Sequence, residues 1–266
     1  MKERSRTAGE PAARVVLLGA SNLARGLAGA VRAARGHVAG PQELLVACGH
    51  GRSYGIESTF LGRTLPGIEA CGLWHMLEHG QPRPTFALLV DPGNDLVYGL
   101  DAKRIEGFIA RALDRLEHAG ARSVLVGLPL ENVCRLPAWQ YELWRRVFFP
   151  THDAPRARLL AQAEELQERL AALAAARECA HFVPDCDWYG ADPIHVAARH
   201  RPRAWSTWMQ AWGTGTADAS GPREKVTERP WCWLALAPQR RRILGLEQRR
   251  EQPCARFGDG STLGMY

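Results

Sequence analysis

Five short stretches constrain the fold more than anything else in the chain. They are "RVVLLGAS" at 14–21, "ELLVACGHG" at 43–51, "TFALLV" at 85–90, "RSVLVGLP" at 122–129 and "AHFVPD" at 180–185. Their apolar residues are consecutive, not alternating, so each strand needs cover on both faces. Segments of helical period stand between them. Leu23, Leu27, Ala30 and Val31 recur at helical spacing after the first stretch. Residues 67–80 read as a helix, as do residues 101–120, where Asp101 is a plausible cap and Gly120 a stop. Residues 156–179 form a long helical run before the fifth strand. Strands apolar on both faces that alternate with helices predict a doubly wound α/β fold: a three-layer α/β/α sandwich on a five-stranded parallel sheet. In such a fold ligands bind beyond the carboxyl ends of the strands.

Composition sets the outer limits. With 266 residues the chain can build one sizeable core. Its 46% hydrophobic and 23% charged content are ordinary for a globular protein. The net charge of +6 comes almost wholly from arginine, since Lys2, Lys103 and Lys225 are the sole lysines. Arg240, Arg241, Arg242, Arg249 and Arg250 make two dense runs, which we read as solvated or acid-paired arginines and not as a nucleic-acid surface. The seven cysteines are odd in number and contain no CxxC pair, which points away from a zinc ribbon and from a disulfide framework. The start, "MKERSRTAGEPAA", has no apolar segment of the signal-peptide kind, and no apolar run reaches the ~20 residues of a membrane span. A cytoplasmic location is expected.

The strand ends carry the candidate chemistry. After the first comes Ser21, at the start of a helix. It can serve as a helix cap. It can equally be a nucleophile, because the helix N-terminus favours developing negative charge and a neighbouring base would activate the hydroxyl. After the second comes Gly51 in "GHGRSYG", which lets a backbone N–H approach a reacting oxygen, or else simply makes a turn. After the third comes "DPGND", where Asn94 can offer a side-chain N–H or act as a turn former. After the fifth comes "DPIH", which places Asp192 three residues before His195. A carboxylate so placed can accept the Nδ1 proton and leave Nε2 free as a base. His75 and His79 fall in a helix, and His181 and His200 are the other competing imidazoles. No HExxH or His/Cys cluster has metal-ligand spacing, so no metal is expected. The glycine turn at Gly19 lacks both GK[ST] and GxGxxG, which excludes the usual nucleotide loops.

Taken together, "LLGASN", "GHGRSYG", "PGND" and "DPIH", in that order, resemble the blocks of the SGNH (GDSL-like) hydrolase family. The resemblance covers roughly residues 14–200. It implies a flavodoxin-like three-layer sandwich and a serine esterase needing no cofactor. By it Ser21 is the nucleophile, His195 the base and Asp192 its orienting acid, while the Ser21 N–H, the Gly51 N–H and the Asn94 side chain form an oxyanion hole. The substrate implied is a carboxylic ester, with a small acyl or O-acetyl group, on a small molecule or carbohydrate. An acyltransferase using the same residues, and a non-catalytic binding protein on the same fold, are the alternatives. The chain departs from the family pattern at Ala20, where an aspartate is usual, at Pro92, where a glycine is usual, and at Val196, where a proline often follows the histidine.

Domain organisation follows. Residues 1–13 are expected to be a disordered lead, residues 14–212 the hydrolase domain, and residues 213–266 an extension packed on it. Trp205, Trp208 and Trp212 recur at helical spacing and are expected in the core, with an aromatic platform as the alternative. Trp231, Trp233, Leu234 and Leu236 are the expected anchors of the extension. "WCWLALAP" reads as a possible strand, and Asp259–Gly260 as a turn.

Overall fold

The structure is a computed structural model that describes residues 9–135, 137, 156–190, 192–214 and 237–266. Its centre is a sheet of β1 (Ala13–Leu18), β2 (Gln42–Ala47), β5 (Thr85–Leu89), β6 (Ala121–Val126) and β7 (Ala180–Phe182), all parallel, in the spatial order β2-β1-β5-β6-β7. These are the five strands read from the sequence, and the order is the flavodoxin-like one. Their apolar runs divide between two cores. Val16, Leu18, Leu45, Ala87 and Leu89 face α2 (Leu73–His79), α3 (Ala102–His118) and α5 (Arg156–Ala176). Val15, Leu17, Leu44, Val46 and Leu88 face α1 (Ser21–His37) and α6 (Arg201–Gln210). A short helix α4 (Leu130–Arg135) follows β6.

The sheet is wider than expected from the sequence. β10 (Ala255–Arg256) and β11 (Thr262–Met265) form a hairpin whose second strand lies parallel beside β2, giving seven strands. The Asp259–Gly260 turn makes this possible: Gly260 adopts φ +93, and Asp259 Oδ1 accepts the Ser261 N–H. A second sheet, β3-β4-β8-β9, is antiparallel and combines β3 (Ser58–Phe60) and β4 (Arg63–Leu65) with β8 (Arg240–Ile243) and β9 (Leu246–Arg249). None of it was legible in the sequence, because three- and four-residue strands leave no measurable period. The stretch 67–80 also differs from the expected single helix. It is a 3-10 turn, Ile68–Ala70, followed by α2.

The three tryptophans of α6 and its end lie in the core, as expected. Trp205, Trp208 and Trp212 are almost wholly buried. Trp205 lies so close to α1 that a Cβ on Gly26 would sit 2.7 Å from its ring, so the two helices meet through a glycine. Trp212 Nε1 donates to the Ala87 carbonyl at 3.0 Å. Trp231, Trp233, Leu234 and Leu236, and the strand read over 231–238 except for Ala237 and Pro238, lie outside the described residues, as do residues 1–8. Ala12 is described, and its N–H donates to the Pro41 carbonyl at 2.8 Å. Among the described residues no helix is long and apolar enough to cross a membrane.

Candidate active site

Three loops meet at the carboxyl ends of β1, β2 and β5, where the strand order reverses. The first carries Ser21 as the opening residue of α1. Its hydroxyl is not the helix cap: Ala20 occupies that position and makes no side-chain cap bond. The capping work falls to Asp91, at the end of β5. Its Oδ2 accepts the N–H groups of Ala20 at 2.8 Å, Asn22 at 3.0 Å and Leu23 at 3.4 Å. The next N–H, that of Ala24, is taken by the Ala20 carbonyl. Among the described residues the Ser21 N–H is thus the one donor of this turn that makes no bond, and it sits beside the Ser21 hydroxyl. Asp91 reaches this place by adopting the left-handed conformation, φ 62 and ψ 34, which a non-glycine residue seldom takes. Aspartate is among the residues that tolerate it best.

The histidine comes from the loop after β7. His195 Nε2 lies 2.8 Å from Ser21 Oγ, and His195 Nδ1 lies 2.7 Å from Asp192 Oδ2. The sequence-derived trio of Ser21, Asp192 and His195 is therefore assembled in one hydrogen-bonded line. The His195 side chain is buried, while Ser21 remains partly exposed. Burial by itself would raise the Asp192 carboxyl, but the hydrogen bond and charge of His195, the Ile194 N–H and the charge of Arg25 outweigh it and hold that carboxyl below the usual range.

Two groups in this assembly were missed in the sequence. Arg25 Nη1 reaches the same Asp192 Oδ2 at 3.1 Å. Its position four residues after Ser21 puts it on the same face of α1, and that spacing was the available signal. Asn22 is the second. Its Nδ2 donates to Asp91 Oδ1 at 2.7 Å and to the Ile194 carbonyl at 2.8 Å, and its Oδ1 accepts the Val196 N–H at 2.8 Å. One amide thus holds the residues on either side of His195 and ties them to the residue next to Ser21.

Gly51 and Asn94 stand on the two other loops. Gly51 adopts φ +65, and its carbonyl accepts from the Tyr98 hydroxyl. The Asn94 N–H donates to the Asp91 carbonyl at 3.2 Å, and Asn94 Nδ2 donates to the Arg52 carbonyl at 2.9 Å. The Asn94 amide therefore stitches the "PGND" loop to the "GHGRSYG" loop, and among the described residues no hydrogen bond joins Gly51 or Asn94 to Ser21 or His195. Asp95 holds the same two loops from beneath. It is fully buried and accepts the Ser53 hydroxyl, the Tyr54 N–H at 2.8 Å and the Gly55 N–H at 3.4 Å. Burial is the main influence on its carboxyl and raises it.

His50, beside Gly51, is half-buried, and its imidazole is pushed down to about 4, first by burial and then by the charges of Arg63, Arg25 and His195. It is a neutral ring at neutral pH. One group of three potential metal-ligating side chains occurs among the described residues, Asp185, Cys186 and Asp187, and Asp185 there caps its own turn through the Asp187 N–H. A cavity of about 270 Å³ opens between Trp74, Phe108 and Arg111, but none of the trio lines it.

No family model and no curated protein matches the chain. Solved structures do. The inhibitor-bound aryl esterase of M. smegmatis is 15% identical, with a TM-score of 0.51 over 75% of this chain and 97% of that one. The native form of the same esterase is likewise 15% identical, with a TM-score of 0.50 over 74% and 95%. Est24, a carbohydrate acetylesterase from Sinorhizobium meliloti, is 16% identical over 74% and 97%, with a TM-score of 0.48. The chain has the three-layer fold of the aryl esterase.

Proposed function

We propose that this protein is a serine hydrolase of the SGNH (GDSL-like) type that cleaves a carboxylic ester carrying a small acyl or O-acetyl group. The observation that carries the reading is the line from Ser21 Oγ through His195 to Asp192, with separations of 2.8 and 2.7 Å. These are the distances proton transfer needs. In the reaction His195 Nε2 takes the Ser21 proton as Oγ attacks the ester carbonyl. Asp192 holds the Nδ1–H and stabilises the imidazolium. His195 then gives its proton to the departing alcohol, leaving an acyl-enzyme. Water repeats the sequence in reverse order, with His195 as base, and releases the acid. The unbonded Ser21 N–H is the first donor for the oxyanion. The Gly51 N–H and the second hydrogen of the Asn94 amide are the other two. The esterases of the same fold support the choice of an ester as substrate, and the choice of acyl group rests on the sequence resemblance.

The test is hydrolysis of a series of p-nitrophenyl acyl esters, with a fluorophosphonate as a covalent probe. The intact protein is expected to turn over the short esters and to be labelled at Ser21. Ser21→Ala should lose both, with turnover down by about a thousandfold or more. Turnover that survives Ser21→Ala unchanged would remove the proposal. A binding protein on the same fold would give neither turnover nor label, and an acyltransferase would pass the acyl group to an added alcohol faster than to water.

A further inference from the structure

The catalytic reading leaves the small antiparallel sheet without a purpose. Its register gives one. Phe60 pairs with Arg63, Arg63 with Ile243, Arg241 with Gln248 and Ile243 with Leu246. Paired residues share a face, and residues two apart on one strand do so too. Phe60, Arg63, Leu65 and Arg241 therefore lie on one face. That face is pressed onto the Gly49–Gly51 turn. A Cβ on Gly49 would lie 2.4 Å from Leu65 Cδ1 and 2.9 Å from Arg63 Nη2, and a Cβ on Gly51 would lie 2.9 Å from Phe60 Cβ. The Phe60 ring stacks on His50 at 6.1 Å.

The two faces of this sheet treat arginine differently. On the outer face the charges are matched: Arg240 and Arg249 reach Glu247 at 3.2 and 2.7 Å, and Arg242 pairs with Glu57. On the inner face Arg241 Nε meets only the neutral Gln248 Oε1, at 2.9 Å, and among the described residues no carboxylate meets Arg63. Yet Arg63 is the more buried of the two. Burial opposes its charge most, Arg241 and Arg52 oppose it too, and Cys48 alone favours it, so that its guanidinium is held below the usual range. A half-buried guanidinium without a carboxylate is unfavourable. It becomes favourable when an anion arrives, and guanidinium suits carboxylate and phosphate alike. The inner face thus lies against the turn after β2, one of the three loops that meet at Ser21.

We propose that this inner face is an anion-binding subsite, with Arg63 as its main contact and Arg241 as its second, and that it selects esters bearing a carboxylate or phosphate group. The selection rests on the hydrolase reading above, whereas the binding of an anion does not. Two measurements separate them. In the first, p-nitrophenyl hexanoate is compared with the p-nitrophenyl half-ester of adipate, which has the same chain length and an added carboxylate. The ratio of kcat/KM should favour the half-ester and should shrink as salt is added. Arg63→Gln should lower that ratio by about tenfold or more, the usual loss of a charged hydrogen bond, and Arg241→Gln by less. Arg63→Lys should keep part of the preference, and serves as the folded variant if Arg63→Gln melts early. In the second, adipate and inorganic phosphate are titrated calorimetrically into the Ser21→Ala protein. Binding of either, lost in the Ser21→Ala/Arg63→Gln protein, supports the subsite even if no ester is cleaved, and the stronger of the two identifies the anion. A ratio at or below one, or one that Arg63→Gln does not change, together with no calorimetric binding, would overturn the proposal.

Discussion

Asp91 does two jobs that one residue can combine only in an unusual conformation. It ends β5 and caps α1 across the switch point, in φ 62 and ψ 34. Ala20, where the family pattern has an aspartate, leaves the first turn of α1 without a local acid, and Asp91 supplies one from another strand. Asp91→Asn keeps the tolerance for left-handed backbone but removes the charge at the helix N-terminus. Stability should fall by about 1–2 kcal/mol in urea unfolding, the scale of a lost cap. Asn22 acts differently, since it fixes the spacing between Ser21 and the histidine loop. Asn22→Ala should lower kcat by about ten- to a hundredfold with a smaller change in KM, because misplacing the base by an ångström slows proton transfer more than it weakens binding. Equal changes in kcat and stability-corrected enzyme concentration would show that Asn22 is only a structural tie. On the proposed reading Asn94 is an oxyanion donor, so Asn94→Ala should lower turnover about a hundredfold, whereas an unchanged rate would leave Asn94 only the tie between its loop and the Arg52 carbonyl. Ser21, Asp192 and His195 were singled out by the conjunction of four strand-end blocks resembling the SGNH pattern, since Ser21 alone reads as a cap and a lone DxxH as a surface loop. Asp91 was not, because an acid in "DPGND" reads as a turn residue until its partner on another strand is known. Arg25 hid among many arginines for the same reason.

Elements show where pattern was enough. Strands such as β1, buried on both faces, and α3, with Asp101 accepting the Arg104 N–H at 2.7 Å, follow from composition and caps that act within a few residues. β3, β4, β8 and β9 do not: each is too short to show a period, and the β4–β8 pairing that unites the two hairpins joins segments about 180 residues apart. The α1–α6 contact is of the same non-local kind. Gly26 is mid-helix, where glycine is intrinsically unfavourable. Its reason is Trp205, which would be 2.7 Å from any Cβ there. Gly26→Ala should therefore destabilise, by about 1–3 kcal/mol, despite the better helix propensity of alanine. A rise in melting temperature would show that α6 can shift outward at no cost.

At the scale of the whole molecule, pH acts through His50 and, in the same direction, through His181, whose imidazole burial also pushes down. The folded His50 imidazole is pushed down to about 4, against an ordinary 6.5, so the unfolded chain takes up a proton that the folded chain refuses. Its contribution to stability is thus complete above pH 6.5 and is lost as pH falls from there toward 4. His50→Gln should flatten that part of the stability profile, measured by urea unfolding across the same window. Parallel profiles for the two proteins would contradict it.

The placing of β11 beside β2 has a consequence in time. The Ser261 hydroxyl that accepts the Gln42 N–H is 219 residues away along the chain. During synthesis β2 is made early and keeps a bare hydrogen-bonding edge until residues 262–265 have emerged. A ribosome adding 5–20 residues per second leaves that edge uncovered for about 10–45 seconds. For that interval the nascent chain carries a strand of Val/Leu character paired on one side only, and its other edge is of the kind on which other chains align. The last strand is then what ends the exposure, and the yield of folded protein becomes a race between its arrival and the first encounter with another unfinished copy.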